Sequence, residues 1–207
     1  MNNDLNQANT KVGTGYSQLE NSYEAGVEIA QKAVQSQNIF PETLFFLFAT
    51  PHYKIDMLIK GIRSITGDQP KFLGCTTTGI VTNEFLSYNG ALAGGAFISC
   101  ETPFFELFIE KNIKDREFDA GKSLAKKLLD ANTSQESSVI MFYDSVKTTA
   151  AEGRPDLNVA TPILDGFYSN YKYWPTFAGM GAMGEINLIY PCEAWAGNEI
   201  SRHLLGA

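Results

Sequence analysis

Two glycine-rich segments carry the most suggestive spacing in the sequence. Phe72-Leu73-Gly74-Cys75-Thr76-Thr77-Thr78-Gly79 and Phe177-Ala178-Gly179-Met180-Gly181-Ala182-Met183-Gly184 each place Gly two residues after Phe and another Gly five later. Glycine lets a backbone approach a ligand closely, and free amide N–H groups at such a loop can hold a carboxylate. Thr76, Thr77 and Thr78 add hydroxyls at the same place. A P-loop is excluded, because neither segment ends in Gly-Lys-Ser/Thr. Gly179, Gly181 and Gly184 spell GxGxxG, but Glu185 to Pro191 does not continue as an amphipathic helix, so a dinucleotide fingerprint fails.

Three side chains near these segments could react or bind. Loop amides could depress the thiol of Cys75, and His52 could serve it as a base. The plain alternative is a small, inert packing residue, and Met180 at the matching place argues that thiol chemistry is not needed. Asp144 ends an apolar run, where a carboxylate can take a ligand ammonium or serve a turn. Trp174 and Trp195 could line a pocket or fill a core. The expected ligand-binding set is Gly74, Cys75, Thr76, Thr77, Gly79, Asp144 and Gly179. Amides and hydroxyls would hold a carboxylate and Asp144 an ammonium, which together suit an amino acid. No catalytic residue is assigned.

Composition narrows the partners. The 207 residues carry a net charge of −7 and no basic cluster, which argues against nucleic acid and an anionic membrane surface. With 44% apolar residues the chain can build a core. No apolar run approaches the ~18 residues that span a bilayer. Three cysteines without CxxC spacing make no disulfide framework, and two histidines make a zinc site improbable. The expectation is a cytoplasmic protein with no cofactor and no metal.

These residues must be positioned by alternating strands and helices. Lys11 to Ser17, Thr43 to Ala49, Lys71 to Leu73, Gly90 to Cys100, Phe104 to Glu110, Ser138 to Asp144 and Thr176 to Ala178 read as strands. Tyr23, Val27, Ala30 and Val34 share one helical face, and Asn21 or Ser22 can cap that helix. Ile55 to Ile65, Phe118 to Leu129 and Leu157 to Tyr171 read as further helices. The order of elements runs twice, which suggests an internal duplication. The expected fold is α/β: two similar β-α-β-α-β-β-like halves forming mixed, largely parallel sheets covered by helices. Residues 1–10 would be a flexible lead, and 11–207 one domain with halves of about 11–110 and 111–207.

Several of these stretches resemble the N-terminal part of FIST domains. They are Val12-Gly13-Thr14-Gly15-Tyr16-Ser17, Ser22-Tyr23-Glu24-Ala25-Gly26, Leu44 to Tyr53, Gly61-Ile62-Arg63 and Phe72 to Glu84. The likeness is specific from about residue 12 to 100 and fainter beyond. It implies an intracellular sensory domain that binds a small ligand, such as an amino acid, and signals to a linked output domain. It also implies a C-terminal FIST part, missing from this chain, which would be a second partner. The resemblance supplies no catalytic residue. Two rival functions stay open: a hydrolase or transferase using Cys75, and a protein-interaction scaffold.

Overall fold

The computed structural model describes residues 10–35, 39–102, 105–131, 137–170 and 175–207. Most of the expected lead, Phe104, the helix end at Tyr171 and the candidate pocket residue Trp174 lie outside the described residues. In chain order the elements are β1 (Thr10–Ser17), α1 (Ser22–Val34), β2 (Glu42–Ala49), α2 (Ile55–Thr66), β3 (Lys71–Thr76), β4 (Ile80–Val81), β5 (Leu86–Ser87), β6 (Ala93–Cys100) and β7 (Ile109–Lys111). Then follow α3 (Glu117–Asp130), β8 (Ser138–Asp144), β9 (Val146–Thr148), β10 (Asp156–Leu157), α4 (Ala160–Asn170), β11 (Thr176–Ala182), β12 (Ala194–Gly197), β13 (Glu199–Ser201) and β14 (Leu204–Gly206).

Local chemistry sets the helix ends. Asn21 Oδ1 accepts the amides of Tyr23 and Glu24, so α1 starts where two orphan donors find an acceptor. Gly67, at φ +74°, ends α2. Residue 157 pairs with β9 as a strand, so α4 begins at Ala160, three residues later than the apolar spacing indicates. Pro162 falls in its first turn, where a missing N–H costs nothing.

Two main sheets form. The first has the order β1-β6-β2-β3-β12-β13 and the second β11-β8-β14-β7. The sheets are mixed, as expected, but their parallel share is small. Each contains one parallel pair, β2 with β3 and β8 with β11, and the remaining ladders are antiparallel. The reason is topological. A helical crossover yields one parallel neighbour, and the returning strands β6 and β14 insert antiparallel beside it.

The first sheet contains the run β1-β6-β2-β3 and the second the run β7-β14-β8-β11, with the same sense at each step. Side-chain contacts repeat as well. A Cβ on Gly26 would strike Leu58 O and one on Gly61 would strike Tyr23 O; one on Gly121 would strike Ile163 O and one on Gly166 would strike Phe118 O. Glycine is therefore required where α1 crosses α2 and where α3 crosses α4. Lys32 Nζ donates to Tyr16 O and pairs with Glu28, which accepts from Ser17 Oγ. Lys127 Nζ donates to Ile109 O and pairs with Glu110, which accepts from Ser123 Oγ. Serine and glutamate have exchanged strand and helix between the two networks.

Three cores result, arranged as helices, sheet, sheet, helices. Ile29, Leu58 and Ile62 pack with Phe45, Leu47, Phe72 and Trp195 beneath the first helix pair. Leu124, Ile163 and Phe167 pack with Met141, Tyr143 and Leu205 beneath the second. Between the sheets lie Leu44, Leu73, Cys75, Phe142, Val146, Ala194, Ala196 and Leu204. Strand β2 is thus buried on both faces, by helices on one side and by the second sheet on the other.

Candidate functional site

Pairing extends β3 through Thr76 and β11 through Ala182, so most of both glycine segments is strand and not loop. Gly74 pairs with Leu47 on one side and Trp195 on the other. A Cβ there would meet Leu47 O and lie 2.9 Å from the Trp195 Nε1. Gly74 is therefore required first by the close approach of the Leu47 carbonyl on the neighbouring strand and also by Trp195 packed over it, neither of which a spacing argument about loops can see. Trp195 itself is core.

Cys75 faces the core between the sheets and is fully buried. Burial, with smaller contributions from the charges of Cys192 and Asp144, pushes its thiol up to about 12. Nucleophilic attack needs a thiolate, and this environment opposes one. His52 is exposed, its Nδ1 3.3 Å from Thr50 Oγ1. Thr76 is also buried; its amide donates to Glu193 O and its hydroxyl accepts from the Glu193 amide, which ties β3 to the segment entering β12.

Asp144 is fully buried at the end of β8. Its Oδ1 accepts from the Val146 amide and its Oδ2 from the His203 amide, both at 2.8 Å. Burial pushes the carboxyl up to about 6, against the opposing effect of those two amides and of Arg202. Thr50, at the end of β2, does the corresponding work with a neutral hydroxyl: its Oγ1 accepts from the Leu92 amide at the entry to β6, as Asp144 accepts from His203 at the entry to β14. Around Asp144 lie His203, whose imidazole burial pushes down, and Arg202, which forms a bidentate pair with Glu152.

The ends of the two parallel pairs meet. A Cβ on Gly184 would strike Pro51 Cγ, and the Gly184 amide donates to Cys192 Sγ. Beside this junction is a groove of about 450 Å³. One wall is the segment after β3: Thr77, Gly79, Ile80, Val81, Thr82 and Asn83. The floor is the inner face of the first sheet, with Phe48, Thr14, Gly94, Gly95 and Ala96, and Met180 on β11 closes the far side. The wall is held by Ile80, 3.0 Å from the Cβ position of Gly94, and by Phe85 stacked on Tyr16 at 4.7 Å. The described lining residues carry no charge.

Of the expected set, Thr77 and Gly79 line this groove, and Gly179 sits beside Met180 on the exposed strand β11. Gly74, Cys75, Thr76 and Asp144 lie outside the lining. Sequence reasoning missed the floor. The run Ala93-Gly94-Gly95-Ala96 inside an otherwise apolar strand was the available signal, since glycine in a strand interior marks a close approach of something else.

Among the described residues no group of His, Cys, Asp and Glu is placed to hold a metal, and no helix is long and apolar enough to cross a membrane. The family model for the FIST N domain matches residues 43–184, more than half of the chain. No curated protein matches it.

Proposed function

This chain belongs to the FIST N domain family, a family of sensory domains, and from that membership and the groove we propose that it senses a small ligand bound between the segment 77–83 and Met180. The carrying observation is an apolar groove rimmed by a few hydroxyls and an amide, the usual make-up of a small-molecule site. Its walls come from both runs of the element order. A ligand touching both biases how they sit, and that bias is the signal passed to a linked output domain or a C-terminal FIST part. The repeated glycine crossings and lysine networks support descent of the two halves, about 11–110 and 111–207, from one duplicated unit.

An amino acid fits the groove through its apolar side chain and through Thr77, Thr82 and Asn83. Asp144 supplies no ammonium partner in this reading, because its oxygens already hold two amides. The three free, buried cysteines suit a cytoplasmic protein. The test is a thermal-shift screen of amino acids and related metabolites, followed by methyl NMR of Met180. A binder should raise the melting temperature and move the Met180 methyl signal. A binder that stabilises the protein but leaves Met180 and Asn83 unmoved places the site elsewhere.

A further inference from the structure

Corresponding strands of the two sheets differ in one respect. Strand β3 has β2 on one side and β12 on the other. Its counterpart β11 has β8 on one side and, among the described residues, no strand on the other. Strands β1 and β7, by contrast, each end their own sheet among the described residues, so they show no such difference.

The strand that completes β3 shows what a partner of β11 would do. In β12, Trp195 lies against Gly74 on the helix side, while Ala194 and Ala196 face the core between the sheets. Ala196 also covers Gly206, whose Cβ position is 2.8 Å from the Ala196 Cβ. On the β11 side one of the two matching places is uncovered. Gly179 pairs with Met141 as Gly74 pairs with Leu47, and it is exposed. Gly94 pairs with Phe48 as Gly206 pairs with Phe142, but it is buried, with Ile80 3.0 Å from its Cβ position, and lines the groove beside Met180.

We propose that the groove takes an extended peptide segment of small–aromatic–small pattern, added as a strand along the free edge of β11. The proposal rests on the reading of the groove as the binding site and names its ligand class. The aromatic side chain lies over Gly179 as Trp195 lies over Gly74. The flanking small residues face the groove beside Met180. Main-chain hydrogen bonds to β11 supply affinity, and the alternating side chains supply selectivity. Strand β11 carries no charge and no proline, the usual devices that keep an edge from pairing.

The probe is an acetylated, amidated peptide copying residues 193–198 of this chain, added to the whole protein. The expected result is saturable movement of the β11 amide signals and the Met180 methyl, with slower hydrogen exchange along β11. Replacing the peptide's tryptophan by alanine should weaken binding by about tenfold or more. So should Met180→Lys, or Thr14→Lys on the floor, each accepted only if its amide spectrum is native-like. If the peptide leaves β11 unprotected while a free amino acid or metabolite moves Met180, the groove is a ligand site but the peptide class is wrong. If nothing moves Met180, the groove reading and the peptide proposal both fall.

Discussion

Replacing Asp144 by asparagine separates the two opposing effects on that carboxylate. The side chain keeps its size and one acceptor, so one of the two 2.8 Å amide bonds survives. Losing the other leaves a buried N–H unpaired, at about 1–3 kcal/mol. Against this, the variant no longer buries a charge. Burial holds the carboxyl at about 6 in the fold, above its ordinary value of 3.8. A folded pKa above the unfolded one means that the native state binds the proton more tightly. The associated stability is present at low pH and is lost as pH rises through about 6. Relieving that loss is worth ~2–3 kcal/mol at neutral pH, so the two effects nearly cancel there. The firm expectation is the trend. Between about pH 7.5 and about pH 4.5 the parent should gain ~2 kcal/mol over Asp144→Asn. His203 works in the opposite sense, but it is present in both proteins and cancels to first order. Urea titrations followed by tryptophan fluorescence at several pH values measure the difference directly. A flat difference, or one that grows with pH, would refute burial as the dominant influence on Asp144.

Three further outcomes are expected. Cys75, with its thiol at about 12, should alkylate roughly a thousandfold more slowly than a free thiol at neutral pH in the native protein, and at an ordinary rate in urea, as read by pulse labelling and mass spectrometry. Gly61→Ala puts a Cβ against Tyr23 O and 3.0 Å from Gly26 Cα, and should cost about 1–3 kcal/mol in a denaturation curve; Gly166→Ala should behave alike at the other crossing. Arg202→Gln should raise the Glu152 carboxyl from about 2 part of the way toward the ordinary range, since the Thr149 amide and hydroxyl still donate to it, visible as a carbon-13 titration shift.

Much of the architecture was legible because it rests on short-range pattern. The apolar runs at 44–48 and 138–143 and the helical stripes at Ile55, Leu58, Ile59 and Ile62 needed no knowledge of their partners. The same holds for the capping Asn21. The late strands β12 to β14 were not legible, since three or four residues such as Leu204–Gly206 carry too little periodicity. A stronger repeat signal was available than the one used: Tyr23-Glu24-Ala25-Gly26 against Phe118-Asp119-Ala120-Gly121, the two helix crossings. The site was legible only in part. Thr77 and Gly79 follow a strand and line the groove, but Gly74 answers to Leu47 O on the neighbouring strand and to Trp195, which lies more than a hundred residues later, both joined to it only by the fold.

The path of the chain after β11 has a consequence for how this molecule can be divided. From the second sheet it crosses to complete the first as β12 and β13, then returns as β14 between β7 and β8. Neither half owns its sheet outright, because Trp195 and Ala196, from late in the sequence, seal the early half's cores. A gene cut near residue 110 would leave one fragment without the strand over Gly74 and the other with two strands seeking a missing host. The halves are stitched rather than linked, so they should melt together as one transition and tolerate no swapping of a single half between relatives.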